Sequence, residues 1–345
     1  MGPFLARSSP IAPVRVKSRP MGKLVSIQHL RGLAVFSVVV FHALQWEWIP
    51  FEPGQFGVEL FFVISGFVMW ITTAGHAPAP TAFLARRAAR VIPLYWLVSL
   101  TALAVVLIRP GAIPNVIPDP LHVVLSLAFI PHLDPKGGPF PLLNPGWTLN
   151  YEAFFYLVFA ACLTVPLRWR AQAVTAIMLA VFLFGARILT WTYFFGANAE
   201  MLVFVSGVWL AKAWQAEALP GRGTGMTLVA LGVVILTVLT ALIYRPAIWR
   251  PLLFGGPALL IAIGWLAMAA DKKGVPAWPW LQKLGDASYA IYLSHTLTAP
   301  AVAKLCLHQP WLFIPLDVAT GLGGGLLCHA LVEKPLIRWA KALVK

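Results

Sequence analysis

An arginine and a histidine stand eleven residues apart in RGLAVFSVVVFHA, Arg31 to Ala43, a stretch that is otherwise almost wholly apolar. Eleven steps of ~100° make ~1100°, within ~20° of three full turns, so on a helix both share one face, ~16 Å apart along the axis. A charge inside a bilayer costs at least ~2.5 kcal/mol, which turns such residues toward the bundle interior or a wet cavity. Two readings stay open: a buried polar face, or an arginine snorkelling to one surface with the histidine at the opposite headgroup level. On a buried face, the imidazole of His42 suits general-base chemistry, since it titrates near neutrality. FGVELFFVISGFVMW puts Glu59 near the same membrane depth as His42, where a carboxylate could hold one tautomer and stabilise the imidazolium; a lone glutamate near a helix end equally suits solvent. Ser65 and Gly66 in that run read as small residues for close helix packing, since no serine elbow surrounds them.

Three further groups carry polar chemistry on apolar runs. In TAFLARRAARVIPLYW, Arg87 and Arg90 are three apart at the expected start of a helix, with Arg86 one turn from Arg90. Guanidinium forks and a helix N-terminus together favour a phosphate, and the same residues equally serve as an orientation signal. In NPGWTLNYEAFFYLVF, Thr148, Glu152 and Tyr156 fall at i, i+4 and i+8, a polar stripe whose intramembrane glutamate is a functional candidate. KLGDASYAIYLSHTL sets Ser288, Tyr292 and His295 on one helix face, with His295 read as a buried hydrogen-bonding residue.

The elements that must hold these residues are membrane helices. Of 345 residues, 59% are apolar and 11% charged, and the mean hydropathy is +0.79, outside the range of soluble domains. The net charge of +14 comes from Lys and Arg placed mostly between apolar runs, where orientation signals belong, so nucleic acid is not an expected partner. Cys162, Cys306 and Cys328 lie in or beside apolar segments without metal or redox spacing, and no metal site is expected. The fold expected is all-α and polytopic, with about ten transmembrane helices: 25–45, 56–74, 91–108, 147–166, 171–190, 200–214, 226–244, 252–270, 286–306 and 312–333. The first is read as an uncleaved anchor behind a basic tail, 1–23. Basic residues place both termini in the cytoplasm, leaving Arg245 and Arg250 as exceptions outside. The segment 121–130 is too short to span, so 109–146 reads as an external loop with an interfacial or re-entrant helix. The organisation is then one membrane domain, 24–335, between the tail and a cytoplasmic 336–345.

Taken in order, Arg31-x10-His42, GVELFFVISGF, the Arg-x-x-Arg before VIPLYW, WTLNYEAFFY, and LGDASYAIYLSH followed by EKP resemble the acyltransferase-3 family of integral-membrane acyltransferases. The resemblance covers residues 28 to 335 and lacks the fused hydrolase-like domain of longer relatives. It implies an acyl-CoA donor, acetyl-CoA foremost and succinyl-CoA its rival, reaching the site from the cytoplasm, and an acceptor hydroxyl on a surface glycan or glycolipid. No bound cofactor is implied, and the setting is a bacterial-type cytoplasmic membrane with its lipids. The functional residues implied are Arg31, His42, Ser65-Gly66-Phe67, Arg87, Arg90, Trp147 and Glu152; with Glu59 and Tyr156 added from their spacing, the roles expected are His42 as general base, or as a transient acyl carrier, with Glu59 and Glu152 beside it, Arg31, Arg87 and Arg90 on the donor, and Ser65, Trp147 and Tyr156 at the substrates. A lipid-linked sugar transporter would also carry intramembrane charges, but should show internal repeats and paired broken helices.

Overall fold

The structure is a computed structural model that describes residues 25–46, 54–188, 199–242, 250–271, 274–306 and 309–343. The basic tail, the Glu47–Glu52 loop, Arg245 and the Lys272–Lys273 pair lie outside the described residues. Those described are all helix, turn and loop.

Fourteen helices follow one another among the described residues: α1 (Val25–Trp46), α2 (Phe56–Ala74), α3 (Pro80–Ile108), α4 (Pro120–Leu127), α5 (Trp147–Cys162), α6 (Leu167–Ile188), α7 (Glu200–Gln215), α8 (Arg222–Leu242), α9 (Arg250–Ala270), α10 (Pro279–Asp286), α11 (Ser288–Ser294), α12 (Ala299–Leu305), α13 (Pro310–Cys328) and α14 (Lys334–Leu343). Proline opens α3, α4, α10 and α13, where the missing N–H is one that no helical carbonyl would receive. Among the described residues, seven helices are long and apolar enough to cross a membrane. The sequence reading expected ten. α5 and α7 have 16 residues each, below the ~20 that a hydrocarbon core requires. The ninth expected span, 286–306, is broken into α11, a 3-10 turn at His295–Leu297, and α12. The tenth runs on through a π turn at His329–Glu333 into α14, where a tail was expected.

α2 is the central helix, packed on α1, α7 and α9, while α8 runs along α9 and α14 returns against α3. Its closest neighbour is α7. A Cβ on Gly66 would overlap the Phe204 carbonyl oxygen, and one on Gly207 would overlap that of Val63, so the two backbones touch where both helices carry glycine. The close packing read from Ser65-Gly66 is therefore real, and it fixes α2 at the depth of Ser65. Outward faces keep Leu107, Leu157, Leu183 and Val234 exposed, as suits helices whose solvent is lipid.

The segment between α3 and α5 folds inward. Asp119 caps α4 by accepting from the His122 N–H at 2.8 Å. The other end of α4 is gripped halfway along α3, where Tyr95 donates to the Ser126 carbonyl at 3.1 Å and the Trp96 indole to that of Leu127 at 2.8 Å. Tyr95 is the sixteenth residue of a 29-residue helix. The eight residues of α4 thus lie against the middle of α3. Two histidines staple the loop. His132 Nδ1 donates to the Ile130 carbonyl at 2.8 Å, so its Nε2 accepts from His122 Nδ1 at 2.7 Å.

Candidate active site

Arg31 and His42 do share a face of α1, and a separate cavity lies at each of them. The first, about 830 Å³, gathers residues from five elements: Arg31 from α1, Ser65 from α2, Arg87 and Arg90 from α3, Thr148, Glu152 and Tyr156 from α5, and Tyr289 and Tyr292 from α11. The i, i+4, i+8 stripe of α5 faces it as a unit. Glu152 Oε1 accepts from Ser65 Oγ at 3.0 Å and from the Tyr156 hydroxyl, so two hydroxyls hold one carboxylate oxygen. Arg31 is anchored by Nη2 donating to Ser288 Oγ at 2.8 Å.

Arg87 lies between two rings, 5.3 Å from the centroid of Phe83 and 5.9 Å from that of Tyr156. Its Nη2 makes a long 3.4 Å bond to Thr72 Oγ1. Its Nε is buried and has no acceptor among the described residues. Three guanidiniums against one glutamate leave the cavity short of negative charge, so it matches an anion. One premise of the phosphate cradle is corrected. α3 begins at Pro80, so Arg87 and Arg90 sit in its second and third turns, and the first-turn amides lie away from them. The anion would rest on guanidinium forks and not on a helix terminus.

The second cavity, about 1520 Å³ including its mouth, is lined by His42 and Trp46 of α1, Asn115 of the loop after α3, Asn144 of the turn before α5, His295 of the break after α11, and Asp317 of α13. Carbonyls only accept, so His295 Nδ1 carries its proton and donates to Ile291 at 3.1 Å and Tyr292 at 2.8 Å. His295 Nε2 is then a lone pair. His42 Nδ1, 3.2 Å from it and 2.9 Å from the Val38 carbonyl, must be the donor to both. In the neutral ring that leaves the His42 lone pair on Nε2, the atom a general base uses. Tyr292 stands between the two cavities: it lines the first, and its ring lies 6.1 Å from that of His295, which lines the second. Its hydroxyl is 2.8 Å from Thr148 Oγ1.

Nine residues were singled out from sequence, and six of them, Arg31, Ser65, Arg87, Arg90, Glu152 and Tyr156, line the one cavity. His42 does not join them. It shares its cavity with a carboxylate, as expected, but that carboxylate is Asp317 rather than Glu59 or Glu152. Glu59 is wholly buried on α2 and lines neither cavity. Trp147 also lines neither, its ring packing edge-on against Tyr151 at 5.8 Å. Asp317 and Asn144 escaped sequence reasoning because each is a lone polar residue whose neighbours come from distant elements. His295 had a signal, its place on one face with Ser288 and Tyr292.

The model of the acyltransferase-3 family, an acyltransferase domain, matches residues 24–330. Among curated proteins, the chain is 35% identical to the exopolysaccharide production protein ExoZ of Rhizobium meliloti over 88% of this chain and 96% of the relative. It is 28% identical to the peptidoglycan O-acetyltransferase OatA of Listeria monocytogenes over 90% of this chain and 55% of that protein. It is 26% identical to the acyltransferase MdmB of Streptomyces mycarofaciens over 92% of both. The chain spans about half the length of OatA. No solved structure gives a significant match.

Proposed function

The chain belongs to the acyltransferase-3 family of membrane acyltransferases, and from that premise we propose that it moves an acetyl group from acetyl-CoA to a hydroxyl of a cell-surface or exported glycan, in the cytoplasmic membrane of a bacterium. The observation that carries this reading is the division of α1: a cavity of three arginines at Arg31, and a tautomer-fixed histidine ~16 Å further along the same face. The CoA phosphates rest at the arginines, entering from the cytoplasm, while the pantetheine arm extends past Tyr292 toward His42. A polysaccharide acceptor is supported by the exopolysaccharide and peptidoglycan roles in the names of two relatives, and acetyl by the name of one.

His42 Nε2 takes the proton of the acceptor hydroxyl as its oxygen attacks the thioester carbonyl. The C–S bond then breaks, the ester forms, and the proton passes from His42 to the departing thiolate, giving CoA as the thiol. While His42 is protonated, its Nδ1–H stays directed at His295 Nε2 and the Val38 carbonyl, which spread the imidazolium charge. Glu152, held by Ser65 and Tyr156, helps orient the donor at the other end of the path. Mass spectrometry of surface glycans from cells with and without the gene tests the reading: loss of an acetyl increment is expected. Loss of a succinyl increment would correct the donor, and an unchanged glycan would refute the function.

A further inference from the structure

The cavity at His42 is walled by residues that the transfer chemistry does not require. Asp317 is 4% exposed on α13. Its Oδ1 accepts from Thr298 Oγ1 at 3.2 Å, and no donor among the described residues reaches its second oxygen. The Asn144 side-chain oxygen is buried without a donor among the described residues. Asn115 presents an exposed amide at the rim. Trp46, stacked on Phe313 with centroids 6.1 Å apart, forms an aromatic wall.

A carboxylate with one oxygen still open to the cavity, and an amide oxygen without a donor among the described residues, call for a ligand rich in O–H groups. The enclosed volume, about 600 Å³, lies within the ~300–1,000 Å³ of pockets that hold small organic ligands, which leaves room for a sugar ring. An anion is excluded by Asp317, and a hydrocarbon chain by the unpaired polar atoms. We infer that this cavity is the saccharide subsite, in which Asp317 and Asn144 accept from ring hydroxyls beside the one that His42 deprotonates, and Asn115 contacts the next ring at the rim. The inference rests on the acyl-transfer reading and sharpens it. Acceptor choice resides in α13 and the turn before α5, and not in Ser65, Trp147 and Tyr156, to which the sequence assigned the substrates.

The test uses the full chain in lipid nanodiscs, with radiolabelled acetyl-CoA as donor and the source cells' own polysaccharide, stripped of esters by mild alkali, as acceptor. Asp317→Asn and Asn144→Ala should each raise KM for the polysaccharide about tenfold, the loss of one good hydrogen bond, with KM for acetyl-CoA unchanged. Asn115→Ala at the exposed rim, which threatens no folding, should raise it about threefold. Unaltered polysaccharide KM in Asn144→Ala and Asn115→Ala overturns the subsite, as does a rise in acetyl-CoA KM of equal size. If Asp317→Asn does not fold, the two asparagine variants decide. A wild-type protein that labels no polysaccharide refutes the acyl-transfer reading itself, and the subsite with it, before any variant is compared.

Discussion

Replacing Arg87 with lysine separates its two meanings. In the structure this guanidinium lies against Phe83 and Tyr156, spends Nη2 on a long 3.4 Å bond to Thr72, and keeps a buried Nε without an acceptor. Lysine preserves the charge and a share of the cation–π contact but has no Nε and no planar fork. Against a phosphate, the change removes one charge-assisted hydrogen bond of ~1.5 to 3 kcal/mol, and acyl-CoA affinity should fall roughly 10- to 150-fold. Calorimetric titration of acetyl-CoA into purified Arg87→Lys protein measures this directly. A topology reporter between α2 and α3 serves as control, because an orientation signal counts lysine and arginine alike. Unchanged affinity with unchanged topology would remove the phosphate from the Arg31 cavity and refute the placement of the donor.

Other perturbations report on other parts. His42→Ala should lower kcat by roughly 10²- to 10⁴-fold, the usual worth of a general base, while acetyl-CoA binding persists; near-normal turnover would remove the base. His295→Ala should give a smaller loss in kcat with little change in either KM, since the Val38 carbonyl still holds the same proton of His42. Gly66→Val forces a side chain onto the Phe204 carbonyl and should cost ~1 to 3 kcal/mol or more, read as a lowered Tm in detergent, whereas Gly323→Ala, with open space around it, should be silent. Burial and then the neighbouring His132 hold the His122 imidazole below its ordinary value of 6.5. An opened loop therefore binds a proton that the packed loop excludes, and stability present at neutral pH is lost as the pH falls below ~6.5. Proteolysis within 133–140 should accelerate between about pH 7.5 and 5.5, and a pH-independent rate would refute the staple.

What the sequence made legible follows from its range. Thr148, Glu152 and Tyr156 could be set on one face from spacing alone, because helical geometry is local, and they line one cavity. Arg31 and His42 were placed on one face for the same reason. Pairings across the bundle were beyond that range: the cavity of His42 is completed by His295 and Asp317, from a break and a helix more than 250 residues later. The start of α3 was set too late because hydropathy rises only after Arg90, whereas Pro80 begins the helix in polar sequence. The break at His295–Leu297 was hidden by an apolar run that reads as continuous. Once broken, that run places His295 Nδ1 on the carbonyls of Ile291 and Tyr292 and its other nitrogen on His42.

The seat of α4 on α3 works as a brace. Eight residues are too few to span a bilayer, and the helix is held instead by α3, which offers Tyr95 and Trp96 as donors to its last carbonyls. The Leu142 N–H, just before α5, in turn donates to Ser126 Oγ, tying the approach to α5 to α4. Since α5 carries Thr148, Glu152 and Tyr156, the short helix braces the one carboxylate that faces the three arginines, and a change at Tyr95 or Ser126 is transmitted to that charge balance without touching the cavity itself.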